Sequence, residues 1–376
     1  MAADSPFPEL KKTHTMAHQG RPWRDYKPPP SGPVWSIIQG VGSYWSLVAA
    51  VDLGVFDAVQ RLGRTAIAPL AEHLGVSAPH LRHLCDVLVT FGFLDHVDDV
   101  YELTETAERY LCTNGPASMA SLIRVAPGPL ANWEQLADTI RHGRVATPIE
   151  ADPAAFYRPL VEATFVTQHR AATRLGLRLG WSGRPGLRVL DLGAGRAPWA
   201  VAVLDQSAGS TAVVNDLPTV IDDAIETVAQ RGLTDRITLR PGDFHTIPIE
   251  PDAYDLVVLG HICRTEGNER SAALVRRAFD ALRPGGQVLL ADYFADDERK
   301  FNPFGVQMGL TMLANTERGG LVTNAQAVGW LRDAGFASIR LLEPIGFQFV
   351  YVADKPHPDK SHPETSHPET SRRSAS

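Results

Sequence analysis

Between Val189 and Ala197 the chain reads Val-Leu-Asp-Leu-Gly-Ala-Gly-Arg-Ala, an apolar run that ends in an acid and two glycines one residue apart. Such a segment predicts a buried strand followed by a tight turn. Glycine lets the backbone pass close to a ligand where any side chain would collide. The pattern suits a nucleotide-type cofactor with a cationic amino-acid arm. Asp191 accepts from an ammonium group or an ordering water, and Gly193 and Gly195 give the close approach. A dinucleotide site requires Gly-x-Gly-x-x-Gly with the pyrophosphate on a helix N-terminus. Here the sixth position is Pro198.

The order of elements narrows the choice. From Leu187 onward strands and helices alternate, which implies a parallel sheet with helices on both faces. The strand candidates are Leu187–Leu192, Ala212–Asn215, Ile237–Leu239, Leu256–Gly260, Gln287–Asp292, Ile339–Leu342 and Phe347–Val352. The last two read as an antiparallel hairpin at the sheet edge. Seven strands closing in such a hairpin predict the methyltransferase version of the doubly wound sheet, since a plain dinucleotide fold ends in another parallel crossover.

The N-terminal half has a different texture. Residues 1–33 read as a flexible arm closed by Pro28-Pro29-Pro30. Leu47, Val51, Val55 and Val59 recur at helical spacing. Thr65 to Leu74, a turn at Gly75-Val76-Ser77 and Ala78 to Phe91 read as helix-turn-helix, with Ser77 as N-cap. Phe93–His96 and Val100–Leu103 read as a hairpin wing. That is the shape of a DNA-reading module, yet residues 40–115 hold four arginines against ten acids. With a chain net charge of −7, no nucleic-acid partner is expected. Trp133–Arg141 and Phe156–Leu179 read as amphipathic helices.

At 376 residues the chain accommodates two domains. Cys85, Cys112 and Cys263 are scattered and odd in number, which fits a reducing compartment. The N-terminus lacks the apolar core of a secretory signal, and no run of about 18 consecutive apolar residues marks a membrane span. A cytoplasmic protein is expected. The tail repeats Ser-His-Pro-Glu-Thr from Ser361 and again from Ser366, and its histidines (His357, His362, His367) belong to low-complexity sequence rather than a metal site.

Several segments in order carry a resemblance. They are Val189–Gly195, Asn215-Asp216-Leu217-Pro218-Thr219-Val220, Gly242-Asp243-Phe244, Tyr254–Arg264, Ala281–Gly286, Leu313–Thr316 and Trp330–Phe336. Over roughly residues 35–353 the chain resembles the S-adenosylmethionine-dependent O-methyltransferases with an N-terminal dimerisation domain, found in plant phenolic and bacterial natural-product pathways. The resemblance implies an α/β fold: a class I methyltransferase, Rossmann-like seven-stranded sheet behind a mainly helical winged-helix dimerisation domain. The divisions expected are an arm (1–33), a winged-helix-like dimerisation domain (34–120), a helical connector (121–180), an S-adenosyl-L-methionine-binding domain (181–354) and a disordered tail (355–376).

It also implies roles. Asp191, Gly193, Gly195, Asp216 and Leu217 are the cofactor residues of the first two strands, Asp216 taking the ribose hydroxyls in a bidentate fashion. Asp243 accepts from the adenine amine and Phe244 stacks on the ring. Where the family carries a histidine base, this chain has Arg264, in His261-Ile262-Cys263-Arg264. A guanidinium stays protonated up to a pKa above about 12 and takes no proton at neutral pH. Three alternatives stay open. His261, three residues earlier and so on the same face of a helix, replaces the base, with His245 and His169 as other candidates. Or the acceptor arrives ionised and Arg264 steers it. Or the fold binds cofactor without transferring methyl, as a cyclase or lyase. No metal is expected, because His245 and His261 lack a third ligand.

Acceptor walls are expected from Phe165 and His169, from Met308, Met312 and Asn315, and from Arg264. Met308 and Met312, four apart, share one helical face, and soft sulfur side chains suit a planar ligand. The function expected is methylation of a small aromatic or acidic molecule of specialised metabolism by a homodimer, at oxygen first and at carbon as the alternative.

Overall fold

A computed structural model describes residues 31–126, 130–342, 344 and 347–358. The proline-rich arm up to residue 30 and most of the repeated tail, from residue 359, lie outside the described residues. Contacts divide the chain into two compact units, residues 1–46 and 47–376.

Helix α1 (Gly32–Asp52) supplies the described part of the first unit and runs into the second. By length and composition it is apolar enough to cross a membrane. The sequence expectation of no such segment counted only unbroken apolar runs. The serines that interrupt this one donate inside the helix: Ser36, Ser43 and Ser46 Oγ bond the carbonyls of Gly32, Gln39 and Gly42 at 3.0, 3.2 and 2.9 Å. Val34, Trp35, Ile37, Ile38, Val41 and Trp45 are exposed along it.

The second unit begins with helices α2 (Val55–Leu62), α3 (Ile67–Leu74) and α4 (Ala78–Thr90). A small antiparallel sheet follows, of β1 (Thr65–Ala66), β2 (Leu94–Val97) and β3 (Val100–Leu103) in the order β1-β3-β2. The wing turns at Asp98 and Asp99, both at positive φ (53° and 62°), the conformation a two-residue hairpin demands. Phe56, Leu70, Leu88, Leu94 and Tyr101 close the core of this part. Ser77 stands at the N-cap of α4 without a capping bond, because its hydroxyl pairs with His80 Nδ1 at 2.8 Å instead.

Past α5 (Glu105–Tyr110), α6 (Ala120–Val125) and α7 (Leu136–His142), the long helix α8 (Pro153–Leu179) leads to the large sheet. Its strands are β4 (Arg188–Leu192), β5 (Thr211–Asp216), β6 (Ile237–Pro241), β7 (Tyr254–Gly260), β8 (Leu282–Asp292), β9 (Ala337–Leu341) and β10 (Phe349–Asp354). The order is β6-β5-β4-β7-β8-β10-β9. β6 to β8 run parallel, and β10 pairs antiparallel with both β8 and β9. The hairpin expected at the edge is present, with β9 outermost. Side chains alternate between two cores: Val189, Leu256 and Val258 pack on one face, Leu190, Leu192, Val257 and Leu259 on the other.

Between strands lie α9 (Pro198–Gln206), α10 (Pro218–Gln230), α11 (Cys263–Ala281), α12 (Pro303–Asn315) and α13 (Asn324–Ala334). The chain leaves β4 toward β5 on one side and reaches β7 on the other. This reversal opens a crevice at the carboxyl ends of β4, β5 and β7, where ligands of open α/β sheets bind.

Candidate active site

The loop after β4 forms the floor of that crevice. Gly193 and Gly195 both have positive φ, 66° and 55°. A Cβ on Gly193 would lie 2.6 Å from Ile262 Cγ2 and 3.6 Å from Phe244 Cε1, and one on Gly195 would lie 2.7 Å from Val161 Cγ1. Three separate segments therefore converge on the two glycines: the loop after β6, the start of α11 and the first half of α8. Ala197, at φ 61°, turns the chain into α9, and Pro198 opens that helix at a position needing no N–H donor.

The carboxylates are held by backbone. Asp191 Oδ2 accepts Ala200 N in the first turn of α9 at 3.0 Å. Asp216 accepts Gly195 N at 2.6 Å and Leu217 N at 2.7 Å, so the acid ending β5 is tied to the loop ending β4. Burial pushes Asp191 up to about 7 and Asp216 up to about 6, against the pull of those N–H donors. Asp243 Oδ1 accepts the His245 backbone N–H at 2.8 Å, fixing the turn that presents Phe244.

The turn that carries Arg264 is organised by a residue to which the sequence assigns no role. Asp292, ending β8 and 1% exposed, accepts Arg264 Nη1 at 2.8 Å and the Arg264 backbone N–H at 3.1 Å. Arg264 Nη1 also donates to His261 O at 2.6 Å, and the guanidinium lies 5.2 Å from the Tyr293 ring centroid. Burial favours a neutral guanidine, but the Asp292 charge outweighs it, and the Arg264 pKa is raised overall. The other end of this turn is gripped by residues 316–320. Gly320 N donates to Arg264 O at 2.9 Å, and a Cβ on Gly319 would lie 2.6 Å from the same oxygen.

His261 does not share a helical face with Arg264, because α11 starts only at Cys263 and His261 itself sits in the left-handed region (φ 64°). Its ring is buried between Trp199 and Tyr293, at centroid distances of 6.4 and 4.7 Å. Among the described residues neither ring nitrogen has a partner in good hydrogen-bond geometry, although the Gln348 side chain lies near enough to favour the protonated ring; Asp292 Oδ1 is 3.8 Å from Nδ1. Burial, helped by the Arg264 charge, pulls its pKa down to about 4, so the imidazole is neutral.

Other expected residues divide. Asn315 is buried, donating to Thr311 O at 2.8 Å and accepting from Asn132 Nδ2 at 3.0 Å. Met312 is buried on the inner face of α12 and Met308 half-buried. His169 and Phe165 stand elsewhere. His169 Nε2 pairs with Asp205 Oδ2 at 3.1 Å at the far end of α9, and Phe165 stacks on His169 beneath the Arg231 guanidinium. Two turns earlier on α8, Tyr157 faces the crevice instead. Burial pushes its hydroxyl up to about 12, against the Arg264 charge and a hydrogen bond with Thr265. A groove of about 730 Å³ runs along Trp133, Val306, Leu310, Leu313 and Leu321 as far as Gly320, whose N–H holds the Arg264 carbonyl, and none of the expected cofactor residues lines it.

Comparison with known proteins decides the family. Residues 184–337 match the O-methyltransferase domain, and residues 35–113 match the O-methyltransferase dimerisation domain. Acetylserotonin O-methyltransferase of Mus musculus is 30% identical over 328 residues, spanning 80% of this chain and 82% of that protein. The chain belongs to the S-adenosylmethionine-dependent O-methyltransferases. The tetracenomycin polyketide synthesis 8-O-methyl transferase TcmO of Streptomyces glaucescens is 29% identical, over 83% of this chain and 93% of the relative. The crystal structure of human N-acetylserotonin methyltransferase in complex with SAM superposes with a TM-score of 0.75 at 23% identity, covering 89% of this chain and 99% of that one. The crevice of this methyltransferase fits its cofactor: a Cβ on either glycine would collide with the residues around the loop, and the carboxylates of the buried Asp191 and the half-buried Asp216 flank it.

Proposed function

We propose that this methyltransferase methylates an oxygen of an aromatic hydroxyl or other acidic acceptor that arrives already ionised. The observation that carries this reading is Arg264 locked to Asp292 where the family places a histidine. Bound S-adenosylmethionine supplies a methyl group activated by its sulfonium. The side chains of Asp191, Asp216, Asp243 and Phe244, with the backbone of Gly193, Gly195 and Leu217, would hold it. Arg264 keeps its proton, and His261 is too weak a base at neutral pH, with its pKa near about 4, to ionise an ordinary phenol. What the chain supplies is alignment, which is worth roughly 7–11 kcal/mol in well-oriented reactions. The guanidinium, neutralised on one edge by Asp292, orients the acceptor's negative oxygen. Asn315, Met308 and Met312 offer the opposite wall.

The relatives named above, one from polyketide synthesis and others acting on acetylserotonin, support a small planar acceptor of specialised metabolism. We also infer a cytoplasmic homodimer that covers the apolar face of α1, which lies in the segment matching the dimerisation domain. On the same reading residues 34–120 form the dimerisation domain, 121–180 a connector and 181–354 the cofactor domain. Incubation with methyl-labelled S-adenosylmethionine and a panel of naphthols and hydroxyanthraquinones of graded acidity tests the assignment. Labelled ethers from the more acidic members are expected. Label on carbon, or none across the panel, would contradict it.

A further inference from the structure

We propose that His245 and Glu266 form a positioning contact through which the adenine-side loop steadies the turn carrying Arg264, so that filling the cofactor crevice orders the acceptor side. The inference rests on the assignment of Asp243 and Phe244 to the adenine.

Helix α11 is interrupted at Gly267, whose φ of 73° and ψ of 175° are not helical. Cys263 to Glu266 thus form a separate turn, and Asn268 to Ala281 form the body of the helix. Gly267 has no room for a side chain, since a Cβ there would lie 2.7 Å from Arg318 O. The two parts grip the loop after β6 independently. From the body, Arg277 donates to Phe244 O at 3.0 Å and to Ile247 O at 2.5 Å. From the short turn, Glu266 Oε2 pairs with His245 Nε2 at 2.9 Å. Arg270 Nε donates to the same oxygen at 2.6 Å, bridging the interruption.

The His245 and Glu266 side chains are 11% and 16% exposed, so solvent screens their contact far less than a surface pair. His245 is also fixed at its other end, where its backbone N–H is held by the Asp243 carboxylate. Any ligand that engages Asp243 or stacks on Phe244 therefore restrains His245, and through its ring restrains Glu266, two residues beyond Arg264. The opposite side of the turn is tied to Asp292 and Gly320, which belong to the acceptor side. His245 thus ties the short turn directly to the adenine loop, beside the Tyr157 contact with Thr265. Removing His245 leaves the adenine loop in the grip of Arg277 and the turn held by Asp292, Gly320 and Arg270, but breaks the direct contact between the two.

Amide hydrogen exchange of the full chain with S-adenosylhomocysteine tests this without a known acceptor. In the wild type the ligand should slow exchange roughly tenfold or more in residues 243–247 and also in 263–267. In His245→Ala the first protection should persist and the second disappear. His245→Gln, whose amide can still donate to Glu266, should restore it. Glu266→Ala removes the contact from the other side and should reproduce the loss if His245→Ala does not fold. Undiminished protection of 263–267 in either alanine variant overturns the proposal, as does wild-type protection confined to 243–247. Absence of protection at both segments would instead remove the cofactor assignment on which the proposal depends.

Discussion

One carboxylate holds Arg264 at two points: Asp292 Oδ2 accepts its backbone N–H at 3.1 Å while Oδ1 accepts Nη1 at 2.8 Å. Strand β8 thereby fixes both the start of α11 and the direction of the guanidinium. With Asp292 1% exposed and the Arg264 side chain 16% exposed, breaking the pair strands a buried charge. Asp292→Asn should cost about 3–5 kcal/mol of stability, the range for removing one partner of a buried pair. Replacing both partners, as Arg264→Met with Asp292→Leu, should recover part of that loss, because apolar groups avoid the desolvation of two ions while the backbone N–H groups of Arg264 and Tyr293 lose their acceptor. Denaturant unfolding of the three variants measures this, and an Asp292→Asn protein as stable as wild type would show the pair to be weakly coupled.

The rate should follow the acceptor's ionisation rather than the protein's. Arg264 stays charged and His261 titrates near about 4, so neither of these groups changes state across neutral pH. The inflection of kcat/KM with pH is therefore expected to move with the pKa of each acceptor in a series. Arg264→His introduces a group with an ordinary pKa of about 6.5 and should add general-base help of up to about 10²–10⁴-fold for weakly acidic acceptors. An inflection fixed across the acceptor series would reveal a protein base that this account lacks.

Cofactor affinity should carry its own pH dependence. In the free protein burial holds Asp191 near about 7 and Asp216 near about 6, above their ordinary value of 3.8. A raised carboxyl pKa stabilises the fold below the ordinary value, and that contribution is lost as pH rises through the folded value. The ionised acids are the forms that receive a cationic arm and ribose hydroxyls. Between about pH 5 and pH 8 the free protein should thus lose stability while the Tm increase given by S-adenosylhomocysteine grows. A ligand-induced shift that is flat or shrinks over this interval would argue that these acids do not meet the cofactor.

Much of this was legible because it is local in sequence. The acid and glycines at the end of β4 lie within five residues of one another, and the apolar runs of the sheet interior are readable along the chain, whereas the spatial order of the strands arises only from their pairing. Asp292 escaped notice because its role arises only when β8 lies beside β7, bringing Ala291 opposite Gly260. A signal was available: like Asp191 and Asp216, it closes an apolar run. The face that α8 turns to the crevice was harder to read. This helix packs against α6, α9 and α10, so apolar residues occur on several sides, and the sequence gives no reason to prefer Tyr157 over Phe165. For His261, helical spacing misled because the chain enters the left-handed region just before the helix begins.

Gly195 allows a direct test of the loop that receives the cofactor. Substitution by alanine meets two obstacles, a φ of 55° and a Cβ placed 2.7 Å from Val161 Cγ1. The left-handed conformation alone costs a side-chain-bearing residue about 1–2 kcal/mol. The contact adds to it unless α8 moves. Gly195→Ala should therefore weaken S-adenosylhomocysteine binding by roughly ten- to a hundredfold, since each 1.4 kcal/mol of distortion is a factor of about ten. Gly195→Ala with Val161→Ala should recover the part due to the clash and keep the backbone part. Calorimetric titration separates the two, and unchanged affinity in the single variant would mean that the loop does not lie against the ligand.

The apolar face of α1 makes the last prediction. Trp35, Ile37, Ile38 and Val41 are 58%, 77%, 54% and 62% exposed within one turn or two of each other. A single chain rarely leaves so continuous a patch to water. If a second copy covers it, Ile38→Asp with Val41→Asp should bury two charges in the shared surface and shift the protein to monomers. If a bilayer covers it instead, the wild type should float with vesicles and the double variant should not. Sedimentation velocity, run with and without phosphatidylcholine vesicles, distinguishes these outcomes. A wild-type monomer that ignores vesicles would leave neither account standing.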